Sequence, residues 1–169
     1  MPDSQAPVGI NCKTFRNTSG NYSAPTWSVL DDINEESLQI TYDEAQVDRR
    51  GAPVGESEPT VRRAELTLKV LKDTADPNWQ ALHGAFVAKT SIDIMALDSA
   101  AILANGTLDL GNTANVTGVR YTGKLFGFSE GRNLNDAVFN ETTIKPCLNS
   151  QFKTVKVEGG IITYNVVSA

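Results

Sequence analysis

The sequence predicts a mainly β fold, an antiparallel β-sandwich or half-barrel of about eight strands with one flanking α-helix. Most of the 169-residue chain alternates apolar and polar residues between clusters of turn-forming residues, which is typical of strands. One short segment after Asp76 changes to a helical period. Strands do not alternate with helices along the chain, so a parallel sheet is not indicated.

The first quarter of the chain predicts a tail followed by three short strands. We expect residues 1–9, which include Pro2 and Pro7, to form a flexible N-terminal tail, and residues 10–169 to form a single domain. Residues 10–15 and 27–30 predict the first two strands, separated by a dense run of turn formers. Residues 37–42 alternate again, which predicts a third strand.

Residues 61–97 predict a strand, a helix and a second strand. Before the helix, every second residue is apolar, at Ala64, Leu66, Leu68 and Val70. A period of two resumes after it, at Ile92, Ile94 and Ala96. Alternation of this kind indicates strands that bury one face.

The helix is predicted from Asp76 to Ala88. An Asp side chain can accept from the free N–H groups of a first turn, and proline at position 77 suits the first helical position. The apolar residues then recur at i, i+3 and i+7 and form one stripe: Trp79, Leu82 and Phe86. The helix is therefore predicted to pack on the sheet.

Two long connections interrupt the strands. Residues 43–60 contain Gly51, Pro53, Gly55 and Pro59, and we expect them to form a long loop. Such a loop within a compact domain is usually functional or disordered, so this segment is a functional candidate. Residues 98–115 predict a second long connection.

The last third of the chain predicts strands only. We expect residues 116–128 to form a long strand. Its three glycines, Gly118, Gly123 and Gly127, indicate bulges or close backbone approach. Residues 137–145 predict the next strand, and residues 154–157 and 161–167 predict a terminal hairpin around a Gly-Gly turn.

Composition excludes several function classes. The net charge of −5 argues against a protein that grips nucleic acid through clustered Lys and Arg. No apolar run approaches the roughly 18 residues that span a bilayer, so no membrane association is expected. The first ten residues lack the features of a signal peptide, and we therefore expect residence in a cytoplasm, where Cys12 and Cys147 would be free, buried thiols.

No catalytic, cofactor or metal site is predicted. His83 is the only histidine and lies beside the apolar stripe of the helix, where a packing role is the commoner one. The sequence has no nucleophile elbow, phosphate-binding loop or Cys-x-x-Cys motif, so no enzyme is expected. An acidic cluster lacks the oxygen spacing of a calcium loop and is read as a solvated face; its members are Asp31, Asp32, Glu35, Glu36, Asp43 and Glu44.

Several segments, in their order and spacing, resemble the tail tube (major tail) proteins of long, non-contractile-tailed bacteriophages. Residues 15–27 (FRNTSGNYSAPTW) resemble the first hairpin of that family, and the resemblance covers about residues 10–167. The other matching segments are residues 47–51, residues 73–76 followed by Trp79, Leu82 and Phe86, and residues 92–98, 126–130, 134 and 137–145. Residues 101–115 and the chain beyond Lys145 depart from the pattern.

The resemblance implies a structural virion protein that assembles with itself into stacked hexameric rings. DNA would leave the capsid through the lumen without specific binding, along an acidic, repulsive wall. Implied partners are the tape-measure, tail-tip and tail-terminator proteins, and the implied location is the virion tail, with assembly in the host cytoplasm. Two alternatives stay open: a tube protein of a contractile tail or secretion machine, and a β-sandwich carbohydrate-binding or adhesin module.

Charged residues supply candidate contacts between copies. Arg49 and Arg50 lie in the long segment 43–60, which we expect to be mobile in a free subunit and ordered between stacked rings. In a repeating assembly they can pair with acidic residues of a neighbouring copy; the candidates are Asp31, Asp32, Glu35 and Glu36.

Overall fold

The computed structural model describes residues 13–47, 56–98, 116–131, 137–147, 152–158 and 161–166. These residues form nine strands and one helix: β1 (Lys13–Asn17), β2 (Trp27–Val29), β3 (Ile33–Val47), β4 (Glu56–Leu71), α1 (Pro77–Ala88), β5 (Ile92–Leu97), β6 (Val116–Gly131), β7 (Phe139–Pro146), β8 (Lys153–Glu158) and β9 (Ile161–Val166). The sheet is antiparallel and is not closed. The predicted fold class is confirmed, with one strand more than expected.

Strand β6 connects the two halves of the sheet. The strand order is β2-β1-β5-β6-β7-β4-β3, and β8 leaves this path by pairing with β6 and β9. The N-terminal half of β6 pairs with β5 and β8, whereas the C-terminal half pairs with β7. A bulge between Leu125 and Gly127 interrupts the pairing of β6 with β7, as the predicted glycine irregularities indicated.

Two apolar clusters fill the interior, and β5 contributes to both. Ile94 and Ala96 belong to the larger cluster, which lies under β4 and α1. Met95 and Leu97, on the opposite face of the strand, belong to a smaller cluster with β1 and β8. Strand β5 is therefore buried on both faces. At Gly118 of β6, a Cβ atom would lie 2.1 Å from the carbonyl oxygen of Ala96 in β5, so only glycine fits there.

The helix begins as the sequence predicts. The Asp76 carboxylate accepts hydrogen bonds from the backbone N–H of Asn78 at 3.1 Å and of Trp79 at 2.7 Å, and Pro77 occupies the first turn. The helix ends at Lys89, whose φ of 56° places it in the left-handed region.

The predicted stripe of the helix packs on the sheet. Trp79 and Leu82 are buried, and Phe86 is half-buried with its ring stacked on Phe128 of β6 at 5.6 Å between centroids. The exposed His83 stacks on Trp79 at 4.9 Å. The packing role predicted for this histidine is confirmed.

The long loop predicted for residues 43–60 is wrong in extent. Strand β3 continues to Val47, β4 already begins at Glu56, and the two strands pair to their ends. Pro59 lies opposite Glu44 in this hairpin. Among the described residues, β4 pairs with β7 only from Leu66 onward, so no strand pairs with β4 at Pro59 on the side away from β3, and proline is tolerated there. Residues 48–55 lie outside the described residues.

Other predictions also fall outside that part of the chain. Residues 1–9, Cys12, and all but Asp98 of the second connection are among them. Cys147, after β7, is half-buried with its sulfur 3.5 Å from the carbonyl oxygen of Thr122. No helix in the described segments is long and apolar enough to cross a bilayer.

Candidate functional site

Four strands present a polar surface on the side opposite the helix. They are β3, β4, β7 and the C-terminal half of β6, and their cross-strand register places polar side chains next to one another on this side. We call this surface the polar face, and it comprises Glu35, Ser37, Gln39, Thr41, Asp43, Arg63, Glu65, Thr67, Lys69, Lys124, Ser129, Glu141, Thr143 and Lys145.

The register arranges these residues in rows across the strands. One row joins Glu35, Lys69 and Glu141, with Lys69 between two carboxylates. The next row contains only hydroxyl side chains, Ser37, Thr67 and Thr143. In a third row, Lys124 of β6 lies opposite Lys145 of β7, and Lys145 also forms an ion pair with Glu65 of β4. Charged and hydroxyl rows therefore alternate along the strands.

Ion pairs connect most of the charges of the polar face. Nζ of Lys69 lies 2.9 Å from Glu35, and Nζ of Lys145 lies 2.8 Å from Glu65. Arg63 binds both carboxylate oxygens of Asp43, at 2.7 and 2.6 Å. This hydrogen bonding holds the pKa of Asp43 below its usual value. Pairs as exposed as these contribute little to stability, but each of these three cations lies beside a compensating anion.

The polar face ends on both sides in unpaired strand edges. Within the described residues, β3 pairs with β4 alone, and β6 pairs with β5 only as far as Gly123. In the described part of the chain, no other strand therefore pairs with the outer edge of β3 or with the β5 side of β6 after Gly123. Open edges of this length are templates for pairing with another chain.

The structure separates the acidic residues that were predicted as contacts. Asp31 and Asp32 are exposed in the link between β2 and β3. Glu35 lies on the polar face, paired with Lys69, whereas Glu36 points to the opposite side of β3, because successive strand residues alternate. The partner candidates Arg49 and Arg50 lie outside the described residues.

Glu36 lies in a cleft between β3 and the ends of β1 and β5. Its half-buried carboxylate accepts a hydrogen bond from the hydroxyl of Thr14. Burial raises the pKa of Glu36, and the Thr14 hydrogen bond and the charge of Lys13 offset part of this effect. This carboxylate therefore belongs to the interior of the subunit.

A buried cation was missed by the sequence analysis. The Arg120 side chain is 2% exposed and binds the Asp93 carboxylate at 2.7 and 3.1 Å. It also donates to the carbonyl oxygen of Tyr22 at 2.7 Å and lies 3.8 Å from the Tyr22 ring centroid and 4.7 Å from that of Tyr164. Burial would lower the pKa of Arg120, but Asp93 raises it above its usual value.

This cation holds the β1–β2 link against the sheet. Asp93 also accepts a hydrogen bond from Asn17, at the start of the link, and Trp27, at its end, donates to the hydroxyl of Tyr164 at 3.2 Å. The cluster therefore connects β1, β2, β5, β6 and β9. These contacts join strands of one subunit, so the cluster acts as a structural element.

The comparisons with known proteins concern fold only. No protein-family model and no curated protein matches the sequence. A chain from the tail of an empty gene transfer agent (GTA) particle, solved with C6 symmetry, is similar with a TM-score of 0.62 and 9% identity, over 94% of this chain and 98% of that one. The SPP1 tail tube gives a TM-score of 0.60 at 9% identity, over 96% and 80%. A chain of the anti-feeding prophage (AFP) baseplate is similar with a TM-score of 0.57 and 9% identity, over 94% of this chain and 99% of that one.

The chain therefore has the fold of phage tail tube proteins, as the sequence resemblance implied. The similar structures are components of virion tails, tail tubes and a baseplate. At 9% identity over 94% of the chain, this similarity is one of fold and assigns no role to individual residues.

Proposed function

We propose that this protein is a structural, non-catalytic tail subunit that assembles with copies of itself into stacked hexameric rings, which form the tube through which DNA is ejected. The observation that carries the proposal is the pair of unpaired edges that bounds the polar face. The shared fold supports it, because a similar chain was solved in a tail of C6 symmetry.

Ring closure would remove both edges. The outer edge of β3 in one copy can pair with β6 after Gly123 in the next copy, which extends the sheet from subunit to subunit. Each copy then uses two different surfaces, and such head-to-tail contacts generate a ring when the rotation closes. Six repeats of a four-stranded sheet would form one continuous wall.

Contacts between rings are assigned to charged residues. Asp31 and Asp32 are exposed and can meet Arg49 and Arg50 of a copy in the adjacent ring. Glu35 already has a partner and Glu36 faces the interior, so these two are weaker acceptors. Tape-measure, tail-tip and terminator proteins would bind the ends of the tube, which is assembled in the host cytoplasm.

A tube protein of a contractile tail or secretion machine is the second candidate. The similarity to a chain of the AFP baseplate, with a TM-score of 0.57, favours it. Binding of a sheath protein to preformed tubes distinguishes the two, because only a contractile system has a sheath.

A carbohydrate-binding module has less support. The exposed aromatic residues of the described segments are Tyr42, on the core side of β3, and Phe126, beside Lys145 on the polar side. They lie on opposite faces and form no common platform for a sugar ring.

Cross-linking of the two edges tests the ring. In a Cys12→Ser, Cys147→Ser background, Ser129→Cys is combined in turn with Ser37→Cys, Gln39→Cys or Thr41→Cys. In one chain the two positions are separated by three strand spacings, at least about 14 Å, so no disulfide can form within it. We expect one combination to give a covalent ladder that ends at six copies when the concentrated protein is oxidised.

The controls are the single-cysteine variants, which can give dimers but no ladder. Negative-stain microscopy of the same samples shows whether rings or tubes form. Protein that remains monomeric at every concentration would refute the proposed function, whereas tubes without any ladder would refute the pairing of β3 with β6.

A further inference from the structure

We propose that neighbouring copies join with Lys124 of β6 opposite Asp43 of β3 in the next copy, so that each subunit is staggered by four residues along the strands. The inference rests on the proposed ring assembly and assigns the register of its junction. Register decides which side chains meet between copies, because a slip of one residue moves every side chain of a strand to the other face.

The strand order sets the direction and the length of the junction. Strands β6, β7, β4 and β3 are successive antiparallel neighbours, so β3 of the next copy runs antiparallel to β6. Residues 124–131 of β6, which we call the junction segment, pair with no described strand on the β5 side. Alignments that keep the polar sides of both strands together differ by steps of two residues. The choice is therefore among a few discrete registers.

A single cation of the polar face lacks a counterion within the subunit. In the described part of the chain, Lys124 is the one basic residue of this face without an ion pair. It lies opposite Lys145, which forms an ion pair with Glu65, and like charges directly opposite each other destabilise a sheet. A carboxylate from the next copy would offset this repulsion. Among its described side chains, β3 offers two carboxylates on the polar face, Asp43 and Glu35.

The length of the junction favours Asp43. With Asp43 opposite Lys124, the whole junction segment lies beside residues 37–43 of the next copy, because the bulge at Phe126 adds one residue to β6. With Glu35 in that position, only the first three residues of β3 would overlap with the junction segment. The first alignment therefore gives the longer ladder of backbone hydrogen bonds.

Apolar side chains favour the same alignment independently. Ile40 and Tyr42, on the core side of β3, are 41% and 53% exposed. In the proposed register Tyr42 lies opposite Leu125 of the neighbouring copy, and Ile40 lies opposite Phe128, whose ring stacks on Phe86 of α1. Leu125 and Phe128 both pack against the larger apolar cluster. The two exposed side chains would therefore extend this cluster across the junction and lose contact with water.

Alignments shifted by two residues in either direction are less favourable. With Thr41 opposite Lys124, two carboxylates, Glu130 and Glu36, would face each other across the junction. With Ala45 there, an apolar residue of β6 would face a carboxylate of β3. In neither case does the lysine gain an anion. Only the proposed register satisfies both the charged and the apolar side chains.

The stagger is also the one that a closed ring of strands requires. Within one subunit, Leu38, Leu66, Ile144 and Leu125 form a row across the four strands, and the proposed register continues this row with Tyr42 of the next copy. The row therefore shifts by about one residue per strand. A barrel with this ratio of shear to strands has a strand tilt of about 36°. A row that continued with Leu38 would leave the strands untilted, which closed barrels do not allow.

Cysteine cross-linking distinguishes the registers. In the background without native cysteines, Ser129→Cys lies opposite Gln39→Cys of the next copy, whereas Ser37→Cys and Thr41→Cys are its diagonal neighbours. Directly opposite Cβ atoms lie about 4.5–5.5 Å apart and diagonal ones nearer about 7 Å. Only the first spacing is close to the roughly 3.8 Å of a disulfide. We expect the covalent ladder from Gln39→Cys, and little or none from the two diagonal positions.

The ion pair is tested with two variants that complement each other. Lys124→Glu places a carboxylate opposite Asp43, and Asp43→Lys places an ammonium group opposite Lys124. Each variant alone should therefore need at least about tenfold more protein to assemble. In an equimolar mixture the two can alternate around a ring of six, every junction then joins opposite charges, and assembly should return to the wild-type concentration. Lys145→Glu, on the neighbouring strand, is the matched control and should not rescue Asp43→Lys.

The apolar contact is tested with a matched pair of exposed positions. Ile40→Asp buries a charge in the proposed junction and should abolish the ladder formed by Ser129→Cys with Gln39→Cys. Ile161→Asp makes the same change on β9, outside the junction, and should leave the ladder intact. An intact ladder from Ile40→Asp would overturn the apolar contact.

Each remaining outcome bears on a different step. A ladder from Ser37→Cys or Thr41→Cys in place of Gln39→Cys would overturn the register and leave the ring assembly standing. Two variants that are folded by circular dichroism but fail to assemble as a mixture would overturn the ion pair. Tubes without any ladder would overturn the strand pairing and the register with it. Protein that never assembles would instead refute the proposed function.

Discussion

Replacement of Trp79 by alanine should remove most of the stability that the helix gives to the sheet. The Trp79 ring is 8% exposed and packs between His83 and the edge of Phe128. Its indole N–H donates to Oδ1 of Asn140 in β7 at 2.9 Å, in a buried hydrogen bond. The side chain therefore supplies both apolar area and the partner of a buried amide.

The magnitude follows from these two contributions. Emptying an aromatic site in a core costs about 3–5 kcal/mol. A buried acceptor left without its donor costs about 1–3 kcal/mol, part of which the larger figure already contains. We expect Trp79→Ala to lose about 4–6 kcal/mol, close to the whole stability of a marginal domain. Trp79→Phe keeps the ring but not the donor, and should lose about 1–3 kcal/mol.

Urea unfolding of the isolated subunit, followed by circular dichroism, measures these differences. Val87→Ala on the exposed side of the same helix is the control and should lie within about 0.5 kcal/mol of the wild type. The m-value should be unchanged, so that the shift in midpoint reports stability. A loss below about 1.5 kcal/mol for Trp79→Ala would refute the assignment of the helix as a packing element.

Three further changes test other parts of the subunit. Gly118→Ala should destabilise the subunit by about 1–3 kcal/mol or more, because the added methyl group meets the backbone of β5. In the same urea assay Gly84→Ala should stabilise it by about 0.5–1 kcal/mol, because no atom lies near this position of α1 and alanine favours the helix. Asp93→Asn leaves the charge of Arg120 buried without its counterion and should cost about 3–5 kcal/mol by urea unfolding. A loss under about 1 kcal/mol, the value of an exposed ion pair, would show that the cluster is not structural. Burial raises the pKa of Glu36, so the folded protein binds its proton more tightly than the unfolded chain does. The free energy of unfolding should therefore fall as the pH rises from the unfolded-state pKa, about 4.3, through the raised folded-state pKa. Glu36→Gln should abolish this fall, and a variant with the same pH profile as the wild type would contradict the assignment.

The elements with a clear period could be predicted from the sequence. Leu66 and Leu68 alternate with polar residues and lie buried in β4, and Asp76 begins the helix through the hydrogen bonds that its position indicated. In both cases the signal is local, because it depends on neighbours within one turn or one strand. The fold class follows from such signals added along the chain.

The hairpin of β3 and β4 could not be predicted in its full length. Gly51, Pro53, Gly55 and Pro59 all disfavour strands, and no residue nearby indicates that the flanking chain pairs with itself. The outcome depends on a non-local fact, namely that β7 leaves one side of β4 open before Leu66. Local propensity is outweighed by the cross-strand ladder.

The charged residues were the hardest to assign. Glu35 and Glu36 are adjacent and identical in kind, yet one lies on the polar face and the other faces a cleft, and this difference depends on the register of β3. Arg120 resembles any polar residue of an alternating strand until β9 and the β1–β2 link cover it. Burial of this kind comes from distant segments and leaves no mark on the local sequence.

The position of β5 determines how the subunit comes apart. Successive side chains of β5 belong to different apolar clusters: Ile94 lies in the larger cluster and Met95 in the smaller one. If β5 separates from one cluster, it therefore also separates from the other. Trp79 belongs to the first cluster and Trp27 packs against the second. The two tryptophans should therefore enter solvent at the same midpoint, in one all-or-none transition, although they report on opposite faces of the sheet.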